Sequence, residues 1–237
     1  MSDVLLKIDG LHAWYDRAHI LFDVGLEVRR GEVVALMGRN GAGKSTTIKA
    51  VMGMLDRVQG KVTFLGKNIS RVRPHQIARM GMGYVPEDRR VFTDLTVLEN
   101  LEVGRQLPRP GAFTWTPQKL FDLFPNLGEM QQRPGGQMSG GEQQMLTVAR
   151  TLMGNPYLVL LDEPSEGVAP VIVEQMAEMI LRLKHDGMSI LLSEQNLHFA
   201  ELVSDRAYVL ESGQIRYQGT MAQLAADDEV RHAYIAV

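Results

Sequence analysis

The sequence predicts an α/β fold with a mostly parallel sheet, and three observations support this. The runs Val33–Met37 and Leu158–Leu161 are short and continuously apolar, as expected of strands that are buried on both faces. Strand and helix patterns alternate on both sides of the middle of the chain. Between them, residues 87–154 show helical patterns broken by loops. We therefore predict a single domain, with a core of residues 1–86 and 155–237 and a helical segment at about 87–154.

The first part of the chain predicts five strands and two helices. Residues 4–8 and 20–28 mix or alternate polarity as strands do, and the turn Arg29-Arg30-Gly31 precedes the apolar strand 33–37. Residues 74–80 predict a short helix because Pro74 takes the first helical position, which suits proline. The remaining elements are a helix at 44–55 and strands at 61–65 and 82–85.

In the middle segment, Thr96 and Glu99 have the spacing of a capping box and predict the start of a helix. Residues 107–117 contain three prolines and a glycine, which predict a loop. After Gly154 the strand and helix patterns return. They predict strands at 158–161 and 189–192, helices at 170–184 and 197–203, and a hairpin of 206–210 and 214–217 joined at Ser212-Gly213.

Composition excludes several classes of protein. The chain has 25 Lys and Arg residues against 28 Asp and Glu residues, so its net charge of −3 does not predict a broad basic face for nucleic acid. It contains no cysteine, which excludes disulfides, thiolate zinc sites and cysteine nucleophiles. No run approaches the roughly 20 apolar residues that span a bilayer, and the first ten residues do not resemble a signal peptide.

The strongest chemical signal is the run Gly38-Arg39-Asn40-Gly41-Ala42-Gly43-Lys44-Ser45-Thr46. It lies between a predicted buried strand and a predicted helix, the context that a phosphate-binding loop requires. Glycine lets the backbone N–H groups turn toward phosphate oxygens, and the following helix adds about half a positive charge. We expect Lys44 to reach the β- and γ-phosphates and the Ser45 hydroxyl to bind Mg²⁺. The alternative is a glycine-rich turn with an incidental lysine.

A second signal is the apolar strand 158–161, which ends in Asp162-Glu163. Two adjacent carboxylates after a buried strand are costly unless a cation or water meets them. Beside a phosphate loop, Asp162 would hold Mg²⁺ and Glu163 would orient and deprotonate the attacking water. Without a phosphate loop nearby, an Asp-Glu pair at the end of a strand more often lies exposed to solvent at the start of a loop.

A third signal is Met138-Ser139-Gly140-Gly141-Glu142, which opens a helix. Ser139 and Glu142 have the spacing of a capping box, which is sufficient to explain them. A helix start of serine and two glycines is also an anion site. Because it lacks a lysine, we expect it to complete a phosphate site rather than to form one alone.

At this point the sequence resembles the nucleotide-binding subunits of ABC transporters over nearly its whole length. The run Gly38–Thr46 resembles the Walker A loop, Leu158–Glu163 the Walker B strand, and Met138–Glu142 the signature, with Met and Glu in place of the usual Leu and Gln. The resemblance implies a P-loop NTPase core of the RecA-like type, an N-terminal antiparallel β-subdomain and an inserted helical subdomain.

The same resemblance implies ATP, Mg²⁺ and a head-to-tail dimer of two such chains. In that dimer, Ser139, Gly140, Gly141 and Glu142 of one chain would cover the γ-phosphate held by the other. Tyr15 resembles the aromatic residue that stacks on adenine, and the alternative for it is a half-buried strand residue.

Three positions depart from the general family pattern. Glu87 replaces a glutamine, Gln195 replaces a histidine, and Ala169 replaces an aspartate. Together they resemble the branched-chain amino acid import ATPases of the LivF type, and urea and amide importers share parts of these motifs. Glu87 could contact Mg²⁺ as a charged ligand. Gln195 can still donate a hydrogen bond to a γ-phosphate oxygen, but it cannot become cationic.

The resemblance implies an ATP-hydrolysing subunit on the cytoplasmic face of the cell membrane. Its partners would be membrane-spanning permease chains, a second ATPase subunit that is a sister chain or a second copy, and, indirectly, an extracytoplasmic solute-binding protein. One alternative is a soluble ABC ATPase acting on nucleic acid or ribosomes, although the basic extensions that such proteins carry are absent. A small-molecule kinase is disfavoured, because Asp162-Glu163 and the Ser139 motif suit hydrolysis.

Overall fold

The structure is a computed structural model that describes residues 3–235, and it contains two β-sheets. The smaller sheet has four antiparallel strands in the order β2-β1-β4-β5. Its strands are β1 (Val4–Tyr15), β2 (Ala18–Arg29), β4 (Arg57–Phe64) and β5 (Lys67–Asn68).

The larger sheet has six strands in the order β10-β9-β3-β8-β7-β6. All of its pairs are parallel except the last hairpin, in which β10 runs antiparallel to β9. Its strands are β3 (Val33–Met37), β6 (Met82–Val85), β7 (Leu158–Asp162), β8 (Ser189–Glu194), β9 (Arg206–Glu211) and β10 (Gln214–Thr220). The carboxyl ends of β3, β7 and β8 therefore lie side by side, which confirms the predicted α/β fold with a mostly parallel sheet.

Ten α-helices surround the sheets within residues 3–235, and one 3₁₀ turn covers Gly135–Gln137. The first two are α1 (Lys44–Val51) and α2 (Pro74–Arg79). The middle segment holds α3 (Val97–Gly104), α4 (Pro117–Leu123), α5 (Pro125–Glu129) and α6 (Gly140–Leu152). The rest are α7 (Pro170–His185), α8 (Leu197–Val203), α9 (Met221–Ala226) and α10 (Asp228–Tyr234). None of these helices is long and apolar enough to cross a membrane.

Each face of the larger sheet has its own hydrophobic core. On one face, α1 packs between the two sheets, and its Ile48 belongs to the same cluster as Leu36 and Leu160. On the other face, Leu146 of α6 and Ile180 of α7 pack in one cluster with Val159. Burying apolar side chains on both faces explains why β3 and β7 are apolar throughout. The position of α1 holds the loop before it at the edge of the sheet.

Two predicted elements differ most in length from the structure. β1 continues to Tyr15, whereas the prediction ended at residue 8, because Gly10 has φ of 60° and irregular pairing follows Ile8, which together hide the alternation. α1 ends at Val51, whereas the prediction extended to residue 55. Gly53, with φ of 67°, turns the chain just after that helix, as glycine commonly does at a helix C-terminus.

The hairpin between β9 and β10 turns at Ser212-Gly213, as predicted, with φ of 48° and 77°. Gly213 also connects the two sheets. Its N–H donates to the carbonyl of Ala42 at 2.9 Å, and its own carbonyl accepts from the N–H of Phe22 on β2 at 2.8 Å. A Cβ on this residue would collide with the carbonyl of Ile20, so only glycine fits there.

The middle segment shares a hydrophobic core with the sheet. Val97 of α3 and Leu120 of α4 belong to the same cluster as Val159 on β7. Because this shared core marks no boundary between the two parts, the division into a core and a helical segment near residues 87 and 154 stays a prediction.

A buried asparagine organises the start of the helical segment. Asn100 of α3 is fully buried, and its Oδ1 accepts from the N–H of Phe92 at 3.0 Å. Its Nδ2 donates to the carbonyls of Phe92, Leu95 and Thr96 at 3.0 to 3.1 Å. At the helix start, the Thr96 and Glu99 side chains form the predicted capping box. Asn100 thus satisfies backbone groups that the chain reversal at 92–96 would otherwise leave unpaired.

We expect Asn100→Ala to lower the free energy of unfolding by about 2–4 kcal/mol, because each buried backbone group left without a partner costs about 1–3 kcal/mol. Urea denaturation of the purified chain measures this. Asn126→Ala is the matched control, since the Asn126 side chain makes no hydrogen bond within residues 3–235. Equal unfolding midpoints for the two variants would contradict the assigned role of Asn100.

Candidate nucleotide-binding and hydrolysis site

The glycine-rich loop joins β3 to α1 at the edge of the larger sheet. Gly43 precedes α1 with φ of 110°, and a Cβ there would lie 2.8 Å from Cδ2 of Leu21. A Cβ on Gly38 would collide with the carbonyl of Leu210. Both positions therefore need glycine, and the resulting backbone leads straight into the helix N-terminus, where free N–H groups attract anions.

Lys44 is the first residue of α1, and its side chain is held inside the loop. It is only 3% exposed, and its Nζ donates to the carbonyls of Gly38 at 2.8 Å and Arg39 at 3.2 Å. The same Nζ lies 3.0 Å from Oε1 of Glu163. The ammonium is thus held inside the loop, between its backbone carbonyls and the carboxylate of Glu163.

Asp162 is the last residue of β7 and is 2% exposed. Its Oδ1 accepts from the Ser193 hydroxyl at 2.6 Å, and its Oδ2 accepts from the Tyr84 hydroxyl at 3.3 Å. Burial, together with the charge of Asp162, raises the pKa of Tyr84, so that its hydroxyl stays a donor. The side chains from β6 and β8 therefore fix the orientation of the carboxylate between them.

Glu163 follows Asp162 with φ of 46°, an uncommon conformation for a residue other than glycine. Its N–H donates to both the carbonyl and the hydroxyl of Ser193 at 3.1 Å, and these bonds hold the turn. Burial works to raise the pKa of the Glu163 carboxyl, but hydrogen bonds from Glu166 and Lys44 outweigh it and leave the pKa below its usual value. Glu163 is therefore a carboxylate at neutral pH.

Sequence reasoning did not identify Glu166 as a site residue. Its carboxyl group is hydrogen-bonded to Glu163 and accepts from Nε2 of Gln195 at 3.2 Å. The bond to Glu163, then burial and the charges of Glu163 and Glu87, raise the pKa of Glu166 to about 7. Glu87 follows β6 and Gln195 follows β8, so both residues lie at the same edge of the sheet as Glu163. The signal in the sequence was a glutamate only three residues after the proposed base.

Glu194, at the end of β8, was missed as well. It is 1% exposed, and its carboxylate accepts from the N–H groups of Ser165 at 3.2 Å, Gln195 at 3.0 Å and Asn196 at 3.1 Å. Burial raises the pKa of Glu194, and these hydrogen bonds partly oppose the rise. Its role is to tie the loop after β7 to the loop after β8.

The signature residues lie at the start of α6. The predicted capping box is present, because Ser139 Oγ accepts from the N–H of Glu142 at 3.3 Å and Glu142 Oε2 accepts from the N–H of Ser139 at 2.7 Å. Gly140 and Gly141 form the first turn, and a Cβ on Gly140 would collide with the Arg89 guanidinium. Across residues 3–235, no hydrogen bond or ion pair joins this motif to the glycine-rich loop.

The remaining predicted residues lie around the loop at different depths. Tyr15 ends β1 with 43% of its surface exposed, so both interpretations of this residue, an adenine contact and a half-buried strand aromatic, stay predictions. Arg39 is exposed and donates to the carbonyl of His232 at 3.2 Å. Of the others, Asn40, Gly41 and Glu87 are exposed, Ser45 is partly exposed, and Ala42 and Thr46 are buried.

The donor set fits a triphosphate with a magnesium ion. The Nζ of Lys44 lies inside the loop, 2.8 Å from the carbonyl of Gly38, and Gly38 and Gly43 adopt a backbone in which a Cβ would collide with Leu210 or Leu21. The hydroxyl of Ser45 and the carboxylates of Asp162 and Glu87 are the oxygen ligands that Mg²⁺ prefers. Residues 3–235 hold no cluster of three or more histidine, aspartate or glutamate side chains for a metal. Mg²⁺ commonly takes only one or two protein carboxylates and completes its shell with substrate phosphates.

Comparisons with known proteins agree with this geometry. A family model described as ABC transporter matches residues 21–166. A high-affinity branched-chain amino acid transport ATP-binding protein, BraG of Pseudomonas aeruginosa, is 42% identical over 98% of this chain and 99% of its own. A probable branched-chain amino acid transport ATP-binding protein, LivF of Archaeoglobus fulgidus, is 36% identical over 93% of this chain and 94% of its own. The lipopolysaccharide export system ATP-binding protein LptB of Haemophilus influenzae is 34% identical over 98% of this chain and 97% of its own.

Among solved structures, a nucleotide-free ATP-binding cassette from an ABC transporter superposes with a TM-score of 0.81 and 28% identity, over 99% of this chain and 100% of that one. The architecture is thus the P-loop NTPase fold expected from the sequence. The family model covers more than half of the chain, and the relatives exceed 30% identity over nearly all of it. The chain belongs to the ABC transporter family of ATP-binding proteins, and it is an ATPase.

Proposed function

We propose that this chain is the ATP-binding subunit of an importer for branched-chain or similar amino acids. The observation that carries this proposal is the 42% identity to a branched-chain amino acid transport protein across both chains. Glu87, Gln195 and Ala169, at positions where the general family pattern has other residues, also resemble that subfamily. The relative with a lipopolysaccharide export role is less similar, at 34% identity.

In this proposal the glycine-rich loop and Lys44 bind the phosphates of ATP. Ser45, Asp162 and Glu87 hold Mg²⁺, which neutralises charge on the phosphate oxygens when it is bound. Glu163 orients the attacking water and takes its proton. Its low pKa keeps it ionised at neutral pH, and Lys44 at 3.0 Å holds its carboxylate beside the phosphate site.

Two further groups complete the site. Gln195 donates its amide to a γ-phosphate oxygen, and Tyr15, exposed at the end of β1, stacks on adenine. Ser139, Gly140, Gly141 and Glu142 act on the nucleotide of a second ATPase subunit. Their separation from the glycine-rich loop in this chain supports that arrangement, since a helix N-terminus without a lysine suits the closing side of an anion site.

We place the contact with the permease chains in a groove beside the helical segment. It has a volume of about 480 Å³ and lies between the edge of the larger sheet and α3. Its lining includes Tyr84, Phe92, Val103 and Met52, of which Phe92 and Val103 are about half exposed. Tyr84 of this groove donates its hydroxyl to Asp162 at 3.3 Å, so movement of a membrane partner in the groove would reach the proposed Mg²⁺ site.

The test of the function is co-purification combined with uptake. We expect the tagged chain to co-purify with membrane permease chains, and we expect its deletion to abolish uptake of radiolabelled leucine at low external concentration. Uptake of urea and of acetamide serves as the control. ATPase activity that rises with added nucleic acid, together with unchanged leucine uptake, would contradict the proposal and favour the soluble alternative.

We expect Glu163→Gln to lower kcat for ATP hydrolysis by at least about 10²-fold while ATP binding persists, because a general base contributes about 10²–10⁴. Phosphate release measures the rate, and size-exclusion chromatography with ATP and Mg²⁺ detects the trapped dimer. Glu178→Gln, on the exposed face of α7, is the matched control and should hydrolyse ATP normally. Rapid hydrolysis by Glu163→Gln would remove this residue from its role.

We expect Gln195→Ala to lower kcat by about 10- to 100-fold, since a hydrogen bond to a charged group is worth about 1.5–3 kcal/mol. Gln195→His should keep most of the activity because histidine also donates. Steady-state kinetics of both variants measure the difference. A Gln195→Ala enzyme as fast as the original would show that the amide does not contact the reacting phosphate.

A further inference from the structure

We propose that Glu166 is a positioning residue of the ATPase site, because its side chain joins the proposed base Glu163 to the proposed phosphate contact Gln195. This inference rests on the proposed function of those two residues. It concerns a third side chain, on the loop between β7 and α7, for which the sequence analysis predicts no role.

The geometry makes Glu166 the link between two strand ends. Its carboxyl group accepts from Nε2 of Gln195 at 3.2 Å and is hydrogen-bonded to the side chain of Glu163. Glu163 follows β7 and Gln195 follows β8, and their own side chains make no direct hydrogen bond within the described part of the chain. Removing the Glu166 carboxyl therefore disconnects Gln195 from Glu163.

The backbone of Glu166 is held independently of its side chain. Its N–H donates to the carbonyl of Glu163 at 3.1 Å, and the preceding Ser165 donates its N–H to the buried carboxylate of Glu194 at 3.2 Å. The Glu166 side chain itself is exposed. Substitutions at this position should therefore leave the fold intact and change only what the side chain contacts.

Positioning matters most for Gln195, whose long side chain is only partly buried. Ordering such a side chain costs conformational entropy when it binds a ligand. A partner that already restricts the amide lowers that cost, as supporting residues do around a binding group. Glu166 in this way restricts Gln195 at the edge where Lys44 and Glu163 meet.

The chemistry of the pair suggests which substitution can replace Glu166. A hydrogen bond between two carboxyl groups needs one shared proton, because an ionised carboxylate only accepts. A glutamine at this position can donate to the Glu163 carboxylate with its amide and accept from Gln195 with its carbonyl. Alanine can do neither.

The experiment measures kcat and KM for ATP hydrolysis by the full chain with Glu166→Ala and Glu166→Gln. We expect Glu166→Ala to lower kcat by about 3- to 12-fold, the range of one net hydrogen bond, with KM changed less than about two-fold. Glu166→Gln should restore most of kcat. Glu174→Ala, an exposed glutamate of α7, is the control and should behave like the original chain.

A double-mutant cycle with Gln195→Ala separates this proposal from the proposed function. If Glu166 acts through Gln195, then Glu166→Ala should lower kcat little further in a Gln195→Ala background. Full additivity, or original activity in Glu166→Ala while Gln195→Ala is slow, overturns the positioning role and leaves the proposed function standing. Original activity in Gln195→Ala alone overturns both the role of Gln195 and this inference.

Discussion

The buried ion pair between Lys44 and Glu163 is the interaction on which the rest of the site depends. Both side chains are less than a tenth exposed, and their charged atoms lie 3.0 Å apart. Loss of either partner would leave an uncompensated charge in the protein interior, which is costly. The pair fixes the loop after β3 against the turn after β7. The parallel order of the larger sheet is what brings these two loops together.

Local patterns in the sequence predicted the parts of the site that one segment forms alone. The glycine-rich loop, the capping box of Ser139 and Glu142, and Asp162 at a strand end each need only a few neighbouring residues. Glu166 and Glu194 could not be recognised in this way. Their partners come from two loops about thirty residues apart, which meet only because β7 and β8 are neighbours in the sheet.

The fold shows the same limit of local patterns. Short apolar strands and proline or glycine signals located most elements, but Gly10 concealed the second half of β1 and Gly53 ended α1 early. A strand with bulges loses its regular alternation, so periodicity detects only its regular part. The core shared by α3, α4 and β7 also has no local signature, because it joins residues from distant parts of the chain.

Gly213 connects the hairpin between β9 and β10 to the glycine-rich loop, although the two segments are far apart in the sequence. Its N–H donates to the carbonyl of Ala42 in the glycine-rich loop, and its carbonyl accepts from the N–H of Phe22 in the antiparallel sheet. The sheet that contains Tyr15 and the loop that precedes Lys44 are thus hydrogen-bonded to the same residue. A change in the hairpin that shifts this glycine would therefore alter the distance between Tyr15 and Lys44, the proposed contacts for the base and the phosphates of a nucleotide.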